Sequence, residues 1–188
     1  MKLALTAFRV LIGATIFAHG AQKVFGWFGG SGREATGEAF EGMGLKPGKP
    51  VATAAGAAEV GGGALLAAGF LTPLGSAATI GVMSQAIETV HKPKGFFVTE
   101  GGYEYNLVLI AAAVALAEVG PGPLSLDRLL GTERKGTLWA LAAVGAGVAG
   151  PKLLERRLAP NEDATSPAPA PQSDGRPQAA RETVGAAS

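Results

Sequence analysis

Four long apolar stretches, each rich in glycine and alanine, constrain this chain more than any other feature: residues 3–28, 51–71, 74–90 and 103–119. About twenty apolar residues in a helix cross the hydrocarbon core of a bilayer, so the first stretch can span with a tilt. A two-residue alternation is nowhere sustained and alanine dominates, which argues against strands. Gly56, Gly61, Gly62, Gly63, Gly69 and Gly75 fit a bundle whose helices associate by close backbone approach, as helices do in lipid. The expected fold is all-α: a transmembrane four-helix bundle with a short fifth or re-entrant helix and a disordered C-terminal tail.

The punctuation agrees. Trp27 and Phe28 close the first stretch as an interfacial aromatic anchor. Residues 29–50 read as a polar loop, with an interfacial turn of helix around Glu34, Glu38 and Glu41 before Lys46-Pro47-Gly48-Lys49-Pro50 breaks it. Thr72-Pro73 makes a short, uncharged turn, so the second and third stretches form an antiparallel hairpin. Gly120-Pro121-Gly122-Pro123 ends the fourth. The run 137–150 is about 14 residues long, which suits a re-entrant or partly inserted helix better than a full span. The resulting divisions are a four-helix membrane domain over 1–130, a short apolar helix with a basic flank over 131–158, and a Pro/Ala-rich tail over 159–188 that is expected to be disordered. Arg9 interrupts the first stretch and further apolar stretches follow, so it reads as an uncleaved span rather than a signal peptide.

Charged residues make up 16% of the chain against a usual ~25%, which again places it in lipid. A net charge of +1 without a dense basic run gives no reason to expect nucleic acid. Cysteine is absent, so the chain supplies no thiolate nucleophile, disulfide or cysteine-ligated iron–sulfur cluster of its own. With four spans and both termini inside, seven flanking Lys and Arg fall inside and five outside, in accord with the positive-inside rule. A fifth full span would reverse this to eight outside and four inside, and would favour an outward N-terminus.

The rare ionisable residues inside these stretches carry the functional reading, because charge in hydrocarbon costs at least ~2.5–3.5 kcal/mol on insertion scales and is paired or functional where it persists. His19 and Lys23 share one face of the first helix. Glu59, Glu88, His91, Tyr103, Glu104 and Tyr105 fall, by helical rise, in the same half of the bundle. Arg9 and Glu118 are expected to pair near the opposite surface. Lys23 reads equally well as a snorkelling lysine, Tyr103 and Tyr105 as belt residues, and His91 and Glu104 as solvated boundary groups. His19 and Glu59 sit too deep for that, and the pair reads either as a structural interhelical bond or as a functional site. The candidate catalytic set is His19, Lys23, Glu59 and Glu104. A quinone, which needs donors at its carbonyls and a proton route, would meet His19, Lys23, Glu59, His91 and Tyr105. Glu88-x-x-His91 has the spacing of di-iron bundles, but the second such motif and the extra glutamates are missing, so no metal site is assigned.

These residues also carry a family likeness. Arg9, Gly13, His19-Gly20 and Lys23 leading to Gly26 and Phe28-Gly29-Gly30 resemble the first-span signature of the DoxX family. Glu59, Gly62 and Gly69 resemble its second block, and His91, Gly95-Phe96-Phe97 and Gly101-Gly102-Tyr103-Glu104-Tyr105 its third. Gly120-Pro121-Gly122 with Ser125-Leu126-Asp127 closes a likeness that covers residues 3–130. The resemblance implies a multi-pass protein of a bacterial or archaeal cytoplasmic membrane. Some relatives are subunits of a thiosulfate:quinone oxidoreductase, and others belong to complexes handling thiol or oxidative stress. The expected partner is the lipid membrane, with a soluble oxidoreductase and a homo-oligomeric copy as candidates beside it. The alternative is a non-catalytic anchor for a soluble oxidoreductase, with a small-molecule transporter behind it.

Overall fold

The computed structural model describes residues 2–158, and its regular elements are all helical. The segment 159–188, expected to be disordered, lies outside the described residues. The helices are α1 (Lys2–Phe25), α2 (Gly32–Gly42), α3 (Gly48–Ala68), α4 (Thr72–Ala86), α5 (Glu104–Val119), α6 (Leu126–Leu130) and α7 (Thr137–Leu158). A π-helical turn over Ile87–His91 continues α4 without a break. α1 from Leu3, α3 and α7 are each long and apolar enough to cross a membrane.

Three elements differ from the sequence reading. The polar loop holds an 11-residue helix, α2, rather than a single interfacial turn. α3 begins at Gly48, so Pro50 stands in a first helical turn instead of breaking the chain; the amide it lacks there would have had no partner in any case. The run at 137–150 is the front of a 22-residue helix that continues through Pro151 and its basic flank. α7 is therefore longer than the sequence reading gave and long enough to cross a membrane, and among the described residues it packs into the bundle beside α4 and α5. Ala140 and Ala143 of α7 are buried with Ala77 and Ile80 of α4 and Ala113 and Ala117 of α5.

α7 runs alongside α4 in the same direction. Trp139 borders the groove that Leu71 and Pro73 line, the backbone of Gly147 lies against Ala77 and Gly81, and Gln85 Nε2 donates to Glu155 Oε1 at 2.5 Å. Farther on, Lys152 Nζ lies 3.7 Å from Glu88. α1 and α3 form the closest pair, antiparallel, with Gly13 against Gly63 and Gly20 against Gly56. A Cβ at Gly20 would stand 2.6 Å from the Val60 amide nitrogen and 2.7 Å from Glu59 Cβ. Those glycines pack the bundle, as small residues do in lipid.

One end of the bundle is closed by a buried polar knot. Arg9 does not meet Glu118. Its guanidinium donates to the carbonyls of Leu66 (3.0 Å), Ala67 (2.8 Å) and Leu124 (2.7 Å), so it caps the C-terminus of α3. Gly69 follows in the left-handed region at φ 65°, where a Cβ would collide with that guanidinium. Asp127, fully buried on α6, accepts from the Leu71 amide (3.1 Å), the Thr72 amide (3.3 Å) and the Thr132 hydroxyl (2.9 Å), capping α4 from a distance. Glu118 instead accepts from the Thr137 hydroxyl at 3.2 Å.

Candidate functional site at the α1–α3 seam

The opposite half of the α1–α3 seam holds a salt bridge. Lys23 Nζ lies 2.6 Å from Glu59 Oε1 and 2.5 Å from Oε2. Glu59 is 1% exposed and Lys23 28%. The geometry follows from helix direction. Side chains lean toward the N-terminus of their own helix, so on antiparallel helices Lys23 leans into the bundle while Glu59 leans out toward it. Gly20 and Gly56 bring the two backbones close enough for the pair to close. Lys23 therefore does not snorkel to the headgroups. It turns inward.

His19, one turn deeper on α1, is exposed on the outside of the bundle. The remaining candidates gather at the corner between α4 and α5. His91 Nδ1 donates to the Gly101 carbonyl at 2.6 Å, which fixes the proton on that nitrogen because a carbonyl can only accept. Glu104 and Tyr105 border an open groove of about 460 Å³ with Phe96, Val98, Leu107 and Val108. Tyr103 packs edge-on against Phe96. Among the described residues, no hydrogen bond or ion pair joins His91, Glu104 or Tyr105 to Lys23 or Glu59. The expected single ring of donors thus divides into a tight pair with His19 outside it, and a second polar corner. Glu88 is engaged with Lys152 rather than with His91, and among the described residues no group of three or more His, Asp or Glu could hold a metal ion.

The DoxX family model matches residues 4–92. This stretch is a DoxX domain. No curated protein and no solved structure matches it. The DoxX match takes in α1 through the π-helical turn, and so contains Arg9, Gly13, Gly20, Lys23, Glu59 and Gly62. The family thus covers both the salt bridge and the arginine of the knot. It stops before Gly95, so the likeness noted over 95–130 is not covered by it. Apolar helices and the DoxX match together make this a membrane protein.

Asp127 enters the sequence reading only as the close of the family likeness, and its capping role was not read there. It sits in a segment punctuated by Gly and Pro, and that segment reads as a helix stop. Its one local signal is Ser125, whose hydroxyl accepts from the Arg128 amide as an N-cap and so marks α6.

Proposed function

We propose that this DoxX protein is a membrane subunit of a quinone-linked oxidoreductase system, handling thiosulfate, thiols or oxidative stress in a bacterial or archaeal cytoplasmic membrane. The Lys23–Glu59 pair carries the reading. A buried ion pair is weak as a source of stability, because desolvation offsets most of the attraction, and apolar residues of similar volume often serve as well or better. Its presence at a lipid-facing seam is therefore better explained by use. Lys23 remains partly open, and His19 lies on the outer surface of the same helix, where a head group arriving from lipid would meet both.

Reduction of a quinone takes two electrons and two protons and yields the quinol. Lys23 and His19 donate hydrogen bonds to a carbonyl oxygen, and Glu59 holds Lys23 in place and exchanges protons. The electrons come from a sulfur substrate or thiol bound by a partner chain, since this chain has no cysteine. Glu104, with His91 and Tyr105, is assigned to the rim rather than to the head group.

Titration of the detergent-solubilised protein with a short-chain quinone tests the reading. Trp27, close to the seam, reports by fluorescence in a Trp139→Phe background. Saturable quenching is expected, weakened about tenfold or more by Lys23→Ala or Glu59→Gln, which is ~1.4 kcal/mol of binding. Unsaturable quenching, or equal affinity in the variants, would remove the quinone site. A second reading, a non-catalytic anchor for a soluble oxidoreductase, is favoured by the lack of cysteine and of any cofactor fingerprint. It requires those variants to retain full activity in an assembled complex.

A further inference from the structure

We infer that the end of the bundle bearing Lys23 and Glu59 faces the cytoplasm, and that α1 begins on the outer side. The inference does not depend on quinone as the ligand. It starts from α7, whose register against α4 is fixed at four levels. Trp139 lies by Leu71, Gly147 by Ala77 and Gly81, Pro151 by Gly81, and Glu155 with Lys152 by Gln85 and Glu88. α7 therefore covers the same thickness as α4 and its π-helical turn, from the knot end to the salt-bridge end. α5 runs the opposite way beside them, from Glu104 to Val119.

α1, α3 and α7 are each long and apolar enough to cross, and α4 with its π-helical turn and α5 run between the same two ends; counting them as five crossings puts the start of α1 and the end of α7 on opposite surfaces. The knot end then carries Lys2, Arg128, Arg134 and Lys135 as flanking cations. The salt-bridge end carries eight: Arg33, Lys46, Lys49, Lys92, Lys94, Lys152, Arg156 and Arg157. Orientation follows the bias of Lys and Arg in short flanking segments and is nearly indifferent to Asp and Glu. Pairing of Lys49 with Glu34 or Lys152 with Glu88 therefore does not weaken the bias. Two to one, it sets the salt-bridge end inside.

The consequence is chemical. Protons that pass through Glu59 and Lys23 enter from the cytoplasm, and a reductant donor that serves this end is a cytoplasmic protein rather than an extracellular one.

The absence of cysteine makes the test direct, because each introduced thiol is the only one in the chain. Leu129→Cys reports the knot end; Ser31→Cys and Thr99→Cys, both on exposed positions, report the other. In intact bacterial cells a membrane-impermeant maleimide should label Leu129→Cys, and should label the other two only after lysis. A fluorescent protein fused to the C-terminus should fold and fluoresce, as it does only in the cytoplasm. Labelling of Thr99→Cys and Ser31→Cys in intact cells overturns the orientation. With a fluorescent fusion, that result means α7 does not cross; with a dark fusion, it means five crossings in the inverted sense.

Discussion

Gly20 and Gly61 offer a controlled comparison of what the α1–α3 seam demands. A methyl group at Gly20 would stand 2.6 Å from Val60 N and 2.7 Å from both Glu59 Cβ and the Gly56 carbonyl, whereas one at Gly61 meets nothing within 4 Å. Relaxing the first contact to about 3.4 Å parts the helices by about 0.8 Å, and a gap of that size forfeits roughly a quarter to a half of each dispersion well along the seam. Overpacking of this kind costs about 1–3 kcal/mol. Both substitutions gain the helix propensity of alanine over glycine, about 0.5–1 kcal/mol. The difference between the two variants therefore isolates the overpacking. Gly20→Ala should be less stable than Gly61→Ala by ~1–3 kcal/mol in detergent, followed by circular dichroism during SDS-driven unfolding. Equal stability of the two would refute the close-packed seam, and with it the geometry that lets Lys23 reach Glu59.

Lys23→Met leaves a fully buried carboxylate without a partner and should cost about 3–5 kcal/mol in the same unfolding assay. Glu59→Gln leaves a partly exposed ammonium and should cost less, while the double variant recovers most of the loss; independent, additive effects would show that the pair is not coupled. Arg9→Met uncovers three carbonyls at the end of α3 and by Leu124, and should destabilise by ~3 kcal/mol or more, against ~1 kcal/mol or less for Arg128→Met at an exposed ion pair. At the α2–α3 contact, Lys49, hydrogen-bonded to Glu34 at 2.6 Å, holds that carboxyl below the ordinary carboxylate range. A depressed folded-state value contributes stability above the unfolded-state pKa, near 4.3, and loses it as the pH falls through the folded value. Protection factors of the α2 amides, with the intrinsic pH dependence of exchange divided out, should therefore be flat from pH 8 to about 5 and fall only in acid, a fall that Lys49→Ala should remove.

Depth was legible in the sequence; rotation about the helix axes was not. A fixed rise per residue sets how far into the membrane Lys23 and Glu59 lie, which is why counting along the stretches brought them to one half of the bundle. Which way a side chain faces depends on packing partners that no single stretch contains. His19 shares a helix face with Lys23 yet ends outside the bundle, because the glycines of α1 and α3, not its charge, decide which side is buried. The same blindness paired Arg9 with Glu118: both are near one surface, but the free carbonyls at the end of α3 are better partners than a carboxylate on α5. Helix lengths were misread where hydropathy and helicity part company. Pro50 costs nothing in a first turn, and the basic end of α7 is helical although it is not apolar. The capping role of Asp127 was not legible because an aspartate among glycines and prolines looks like a loop residue until the helix end it caps is brought to it by the fold.

Photo-crosslinking with an azido-quinone, mapped by mass spectrometry on the membrane-embedded protein, tests the central claim most directly. The account expects label on α1 between His19 and Lys23 and on α3 around Glu59, suppressed by excess unlabelled quinone and by Lys23→Met. Specific label confined to the groove by Glu104 and Tyr105, or label on α1 and α3 that excess quinone does not displace, would contradict it.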